Sequence, residues 1–214
     1  MAGNSVGFVG AKALSSVLRN NSTLTTLGIK KFGNLNQPGP SSAFFHRGSG
    51  DGDGIQHQVQ RTSALKTGLD LMLDALMINT ALSSIDLSRN GIGQTGGFGI
   101  ARLLSSGSSP LVSISLAYNN LGSAGCTAIF NALHKNEKLR RLDLTACGAG
   151  LTTKTQHGLE VVDALASCLS SNIALSRLDL VRDAVTPQVV ELICGNVEPR
   201  VCGLHLNFGP QVSF

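Results

Sequence analysis

The stretch from residue 82 to residue 121 contains the same short apolar pattern twice, and this duplication constrains the fold more than any other feature. In the first copy, apolar residues and an asparagine stand at offsets 0, 3, 5, 8 and 10 from Leu82. The second copy repeats those offsets from Leu111. Each copy alternates like a short strand followed by a turn, and a helical pattern separates them. Such a chain is predicted to stack its units side by side.

Equivalent units recur along the chain. Strand patterns start at Leu24, Leu82, Leu111, Leu139, Leu175 and Val201. Before the first five starts, apolar residues recur every four positions, which indicates a helix face packed inward. Four of these helices carry a glycine near their entrance: Gly10, Gly68, Gly96 and Gly125. We expect these glycines to let neighbouring backbones approach, because a Cβ there would collide.

The duplicated pattern, L-x-x-L-x-L-x-x-N-x-L, resembles the leucine-rich repeat signature. Units of 28 to 29 residues with a full helix resemble the ribonuclease-inhibitor-like class of that family. The resemblance implies an α/β solenoid, or horseshoe, with a parallel concave sheet, convex helices and about six strand–helix repeats. Cys147 stands at the asparagine position, as the pattern allows, whereas Phe32 and Asp183 depart from it. We expect irregular turns at those two positions.

The repeat spacing predicts one domain over residues 1–214 with two insertions between strand and helix. A flexible insertion is predicted at about 33–60 and a short one at about 148–156. The first contains GSGDGDG, but Asp51 and Asp53 lack the glutamate that an EF-hand loop needs, so a linker is favoured. Asn4 already occupies a turn position, and no helix follows the last strand pattern. We therefore expect neighbouring chains or missing repeats at both ends, or terminal residues folded over as caps.

The concave sheet is the predicted binding surface. Side chains at offsets 2 and 4 of each strand point away from the core, and offset 7 lies just past the strand. The predicted partner-binding residues are Lys31, Asp86, Arg89, Ser115, Tyr118, Arg141, Asp143, Arg177, Asp179, Arg182 and His205. His205 is assigned to offset 4, and Tyr118 beside Arg89 is the best single hot-spot candidate. In the alternative interpretation, neighbouring aspartate and arginine columns merely neutralise each other.

Other kinds of site find little support in the sequence. The Gly91–Gly96 segment has the G-x-G-x-x-G spacing, but the next repeat lacks its first glycine and no acidic residue follows the next strand. The five histidines fall in different repeats and in the insertion, and no G-x-S-x-G motif occurs. Cys194, Cys202 and His205 lack a zinc-like spacing. We therefore predict no catalytic residue, no cofactor and no metal.

Composition points away from nucleic acid and membrane partners. The net charge is +4, and the basic residues are scattered rather than gathered on one face. No apolar run approaches the roughly 20 residues that a bilayer requires, and the N-terminus does not resemble a signal peptide. Five cysteines without a C-x-x-C pair indicate reduced thiols in the cytoplasm.

The sequence therefore predicts a non-enzymatic scaffold that binds a protein partner on its concave face, as a subunit of a larger intracellular, ciliary or flagellar assembly. A cytoplasmic location is expected, and a cilium, flagellum or cytoskeletal location is the alternative. The alternative function, which the resemblance to leucine-rich repeats also allows, is regulation of a small GTPase, because one GTPase-activating family is built on the same repeat. Arg89 or Arg182 would then supply an arginine to the partner.

Overall fold

Six helices and six strands alternate along the residues that the computed structural model describes, which are 7–39, 66–183, 185–196 and 204–209. The helices are α1 (Gly7–Asn20), α2 (Gly68–Ile78), α3 (Gln94–Ser105), α4 (Gly122–Leu133), α5 (Gln156–Ser171) and α6 (Pro187–Asn196). The strands are β1 (Thr26–Gly28), β2 (Ser84–Asp86), β3 (Ser113–Ser115), β4 (Arg141–Asp143), β5 (Arg177–Asp179) and β6 (His205–Asn207). None of these helices is long and apolar enough to cross a membrane.

The six strands form one parallel sheet in the order β1 to β6. Each strand pairs with its neighbours in sequence, and a helix connects each pair, so the predicted α/β solenoid is confirmed. The middle residue of each strand turns toward the helices, as the burial of Ile85, Ile114 and Leu142 shows. We call the opposite face of the sheet the concave face; the first and third residues of each strand lie on it.

The core is a continuous row of aliphatic side chains between sheet and helices. Leu87, Leu116 and Leu144 follow the strands and are almost completely buried. The helix positions predicted to pack inward agree, since Met72 and Ile129 are fully buried as well. Each such side chain contributes about 2 kcal/mol of burial free energy. Because the layers repeat, stability is distributed along the chain rather than concentrated at one centre.

Glycines at the helix entrances allow close packing, but the closest approach between two helix backbones is at Gly97, one residue after the predicted Gly96. A Cβ added at Gly97 would lie 2.8 Å from the Cα of Gly125 in the next helix. A Cβ at Gly96 would lie 2.5 Å from Ile92 and 2.7 Å from Leu69. Gly96 ends the G-x-G-x-x-G segment, and its role here is to pack against the core.

Turn asparagines connect successive repeats through buried hydrogen bonds. Asn119 donates from Nδ2 to the carbonyl oxygens of Leu87 and Leu116, at 3.0 and 2.7 Å. Its Oδ1 accepts from the backbone N–H groups of Asn90 and Ile92. Asn90 makes equivalent bonds to the first repeat. These side chains satisfy buried backbone groups on both sides of each repeat boundary.

Two other residue types continue this ladder. Cys147 Sγ donates to the carbonyl oxygen of Leu116 at 3.0 Å. Asp183 Oδ1 accepts from the backbone N–H groups of Gly148 and Ala149, at 2.9 and 3.1 Å. Asp183 Oδ2 is buried and has no hydrogen-bond partner among the described residues. Burial raises the pKa of Asp183 to about 6, although the backbone N–H groups of Ala149, Gly148 and Cys147 oppose this shift.

The turns at Phe32 and Asp183 are regular, contrary to the sequence prediction. Residue Lys31 before the first has φ 56°, and residue Arg182 before the second has φ 69°. Arg89 and Tyr118, which precede the two asparagines, have φ 59° and 57°. The backbone therefore sets the turn geometry, and several side chains are tolerated at the buried position that follows.

A second asparagine set lies at the opposite end of the strands, outside the leucine-rich repeat signature. Asn172 donates from Nδ2 to the carbonyl oxygens of Leu133 and Asn136, and its Oδ1 accepts from the N–H groups of Ala174 and Leu175. Asn79 and Asn136 make similar bonds one or more repeats earlier. Each of these three asparagines connects the segment before its own strand to the end of the helix one repeat earlier.

Residues 33–39, at the start of the insertion predicted at about 33–60, are described by the structure. Leu35 is fully buried; its N–H donates to Asn90 O at 3.0 Å, and its carbonyl accepts from Leu69 N at 2.9 Å. Residues 33–39 therefore belong to the repeat, while residues 40–65 and Asn4 lie outside the described residues. In the short insertion, Ala149 and Leu151 are fully buried.

The last strand lies two residues further along the chain than the repeat pattern predicts. His205 pairs with Arg177, and Asn207 pairs with Asp179, so the repeat starts at residue 203 rather than at Val201. His205 therefore occupies offset 2 instead of offset 4. The physical reason is the apolar pattern that follows, because Phe208 is 7% exposed and fills the core position of Leu180.

Candidate partner-binding face

Two rows of polar side chains cross the concave face. The basic row, at offset 2 of the last three strands, consists of Arg141, Arg177 and His205. The carboxylate row, at offset 4, consists of Asp86, Ser115, Asp143, Asp179 and Asn207. Because the strands are in register, each row runs across the sheet at the strand spacing of about 4.8 Å.

The carboxylate row is bonded largely within the chain. Asp143 accepts from the hydroxyl of Ser115 and from the backbone N–H of Thr145, both at 3.0 Å. Asp179 accepts two hydrogen bonds from the Arg177 guanidinium, at 2.8 and 3.0 Å, and one from Asn207 at 2.7 Å. Burial opposes ionisation, but the bonds from Arg177 and Asn207 hold the pKa of Asp179 below its usual value. Each oxygen of Asp143 and Asp179 therefore already accepts at least one hydrogen bond from within the chain.

Arg141 is different from its neighbour on the next strand. It is exposed, and its side chain forms no ion pair or hydrogen bond with any residue in the described part of the chain. Arg177, directly beside it in the sheet, forms the two-bond pair with Asp179. Arg141 thus presents all the donors of its guanidinium to solvent, in the middle of a polar surface.

The structure brings six of the predicted site residues into one open depression of about 560 Å³. They are Ser115, Arg141, Asp143, Arg177, Asp179 and His205. Ser113 and Ser176 contribute small polar side chains to the same lining, so the floor is uncrowded and hydrogen-bonding. We call this depression the concave groove. A surface of this kind suits the polar side chains of another protein better than an apolar small molecule.

Four further predicted residues, together with Ala146, lie on a ridge just past the carboxyl ends of the strands. The turn ridge consists of Lys31, Arg89, Tyr118, Ala146 and Arg182, all with left-handed backbone conformation. Ridge N–H groups continue the parallel ladder, for example from Tyr118 to Thr145 O at 2.7 Å. A left-handed non-glycine residue costs about 1 kcal/mol, so the fold holds this ridge against a local preference.

Arg89 and Tyr118 form the most specific contact on the ridge. The guanidinium carbon of Arg89 lies 3.8 Å from the centroid of the Tyr118 ring. Tyr118 nevertheless remains 38% exposed, so the pair offers both a cation and an aromatic edge to solvent. The eleventh predicted residue, Asp86, accepts from Ser88 N in its own turn. The predicted residues therefore divide between the concave groove, the turn ridge and this turn.

Catalytic geometry is weak in the described part of the chain. His134 Nδ1 and Ser171 Oγ lie 2.7 Å apart on the helix side, without a carboxylate bonded to the histidine there. Within residues 7–39, 66–183, 185–196 and 204–209, no three His, Cys, Asp or Glu side chains gather as metal ligands would. Burial raises the pKa of both Cys147 and Cys168 to about 12. These thiols are therefore poor nucleophiles.

Comparisons with known proteins agree with this architecture. Residues 79–101 and 107–130 match the family model described as Leucine Rich repeat. No curated protein matches the chain. Among solved structures, the tropomodulin C-terminal domain of Caenorhabditis elegans is 11% identical, with a TM-score of 0.59 over 89% of this chain and 92% of that one. A structure of leiomodin-1 actin-binding site 2 is 18% identical, with a TM-score of 0.56 over 87% and 86%. At these identities the likeness concerns the fold.

Proposed function

Because the chain is a leucine-rich repeat protein, we propose that it is a non-enzymatic scaffold that binds a protein partner on its concave face. The observation that carries this proposal is the concave groove, which gathers six polar residues from four neighbouring strands into one exposed surface. The turn ridge adds the Arg89–Tyr118 pair, and arginine and tyrosine are enriched at protein interfaces. This fold hosts many functions, so the site rather than the fold supports the assignment.

Actin is the first partner to test. The leiomodin-1 structure is described as an actin-binding site, and its fold resembles this one. A cytoskeletal location is accordingly the leading alternative to a cytoplasmic one. The concave groove offers both donors and acceptors, as a polar protein surface requires.

Site-specific photo-crosslinking tests the proposal. A benzophenone amino acid replaces Ser113, which lines the concave groove, or Lys135, an exposed residue on the helix side. Each purified protein is irradiated with monomeric actin, with filaments and with a cell extract. We expect a discrete adduct from position 113 and none from position 135. Adducts of equal yield from both positions, or adducts confined to position 135, would contradict binding on the concave face.

Regulation of a small GTPase is the second candidate, and the state of the two ridge arginines bears on it. An arginine that enters a partner's site must be free to move. Arg89 is stacked on Tyr118, whereas Arg182 is exposed and forms no ion pair with the residues that the structure describes. GTP hydrolysis by a panel of small GTPases is measured with the wild-type protein and with Arg182→Ala. Acceleration that disappears in the variant supports this function, and unchanged hydrolysis excludes it.

A further inference from the structure

The acidic and basic groups of the candidate face differ in how far the chain itself satisfies them. Asp143 and Asp179 each accept at least two hydrogen bonds from neighbouring groups. Asp86 accepts one, from Ser88 N at 2.8 Å. Arg177 therefore compensates the charge of Asp179, whereas Asp86 and Asp143 accept from neutral donors and have no ion pair among the described residues.

The basic groups are largely unsatisfied. Lys31, Arg141 and Arg182 are exposed and form no ion pair with any residue of the described segments. Arg89 contacts the Tyr118 ring and leaves its guanidinium N–H groups available at the edge of the stack. Among the described residues of this face, Lys31, Arg89, Arg141 and Arg182 lack an anionic partner, whereas Asp86 and Asp143 are the aspartates that lack a cationic one. The excess of unpaired cations favours an anionic ligand.

We propose that this surface binds an acidic segment of the partner protein, with carboxylates seated on Arg141 and along the turn ridge. The inference rests on the proposed function and specifies the chemistry of the partner. Carboxylates suit arginine because the planar guanidinium donates two parallel hydrogen bonds to them. Arg177 already shows this geometry with Asp179, at 2.8 and 3.0 Å, and Arg141 offers the same fork one strand earlier.

The turn ridge also sets the length of the segment. Lys31 and Arg182 lie on the first and fifth units of the sheet, and neighbouring strands are about 4.8 Å apart. The two side chains are therefore separated by roughly 19 Å of sheet, which about six residues of extended peptide span. Ala146 interrupts the large side chains of the ridge between Tyr118 and Arg182.

A nucleic acid fits this surface less well than an acidic peptide. Its phosphates form a continuous charged chain, and the carboxylate row lies beside the basic row throughout β4 and β5. Asp143 and Asp179 would repel some of those phosphates, whereas a peptide can leave uncharged residues opposite them. Tyr118 is the aromatic side chain that the ridge presents to solvent, and single-strand binding normally uses several stacking rings.

Fluorescence anisotropy with three labelled probes tests the inference: hexaglutamate, hexaglutamine and a twelve-residue oligothymidylate. We expect hexaglutamate to bind, hexaglutamine not to bind at 1 mM or below, and the hexaglutamate affinity to fall as salt is raised from 50 to 500 mM. The double variant Arg141→Gln/Arg182→Gln is expected to lose about tenfold in hexaglutamate affinity. The matched control, Arg19→Gln/Lys135→Gln, removes two exposed charges from the helix side and is expected to bind normally.

Three outcomes overturn the inference. They are equal binding of the two peptides, equal loss in both double variants, and tighter binding of the oligothymidylate that depends on Arg141 and Arg182. Thermal melting followed by circular dichroism confirms that each variant is folded before its affinity is compared. If the peptide experiment fails while crosslinking from position 113 succeeds, the concave face binds a partner without an acidic segment. In that case the proposed function stands and the acidic partner is rejected.

Discussion

Asn119 Oδ1 accepts a hydrogen bond from the backbone N–H of Asn90 at 3.0 Å, and the two residues are equivalent positions of neighbouring repeats. The same carboxamide also donates to two buried carbonyl groups, so one side chain serves both sides of the boundary. The repeats are thus joined by side-chain bonds as well as by the sheet. This relationship makes the ladder a direct target for stability measurements.

Replacing Asn119 with alanine is expected to destabilise the protein by about 3 kcal/mol, because several buried backbone groups lose their partners at once. Urea unfolding followed by circular dichroism measures the change. Asn120→Ala is the matched control: Asn120 is exposed and adjacent in sequence, and its removal is expected to change the free energy by less than about 0.5 kcal/mol. Similar losses in both variants would show that the ladder does not stabilise the fold.

Asp183→Asn is expected to stabilise the protein at pH 7 by about 2 kcal/mol, because a neutral carboxamide replaces a buried carboxylate whose Oδ2 has no hydrogen-bond partner among the described residues. Burial raises the pKa of Asp183 from 3.8 to about 6, and the nearby Asp143 charge raises it slightly further, while backbone hydrogen bonds from Ala149, Gly148 and Cys147 lower it. The folded state therefore holds the proton more tightly than the unfolded state. The stabilisation of the wild-type fold by protonated Asp183 is complete below pH 4 and is lost as the pH rises through 6.

Urea midpoints measured between pH 4 and pH 8 test this expectation. The wild-type protein should lose stability across that interval relative to Asp183→Asn, so the difference between the two should widen with pH. Asp163→Asn, an exposed change on α5, supplies the control for the loss of one negative charge. A constant difference between wild type and Asp183→Asn over the whole range would refute the assignment.

The sequence predicts the repeated parts of this molecule and misses the parts where the repeat carries little information. The ladder positions of Asn90 and Asn119 were identifiable because leucines at fixed offsets surround them. The register of the last strand was not identifiable from the sequence, because the repeat pattern can be counted from either Val201 or Gly203. The burial of Phe208 decides between the two registers. The internal bonding of the carboxylate row was also hidden, since a sequence gives the register of charges but not the rotamers that pair Arg177 with Asp179.

Leu116→Asp is expected to abolish cooperative folding, because it places a carboxylate where the side chain is fully buried in the strand core. Ser113→Asp is the matched control on the same strand, since Ser113 faces the concave groove beside Arg141. Ser115 is unsuitable as the control position, because its replacement would also remove the hydrogen bond that its hydroxyl donates to Asp143. Circular dichroism and thermal melting compare the variants. Equal destabilisation of both would mean that the assignment of faces is wrong.

The thiols of Cys126, Cys147 and Cys168 are expected to resist alkylation in the folded protein. All three are fully buried, and burial raises the pKa of Cys147 and Cys168 to about 12, so almost no thiolate exists at pH 8. Iodoacetamide treatment at pH 8, followed by peptide mass spectrometry, measures labelling at each position. Addition of 8 M urea provides the control and should label all three. Rapid labelling without urea would indicate that these repeats open readily.

Ala146→Gly is expected to stabilise the protein by roughly 0.5 to 1 kcal/mol. Ala146 has φ 55°, a conformation that a Cβ disfavours and that glycine adopts freely, and the substitution removes only a methyl group. Glycine also loses more chain entropy on folding, so the gain is smaller than the strain itself. The control is Ala13→Gly at an exposed position inside α1, where the same chemical change is expected to cost about 1 kcal/mol. Urea unfolding measures whether each substitution raises or lowers the free energy of unfolding. If both substitutions destabilise the protein, the left-handed conformation of the turn ridge costs the fold nothing measurable.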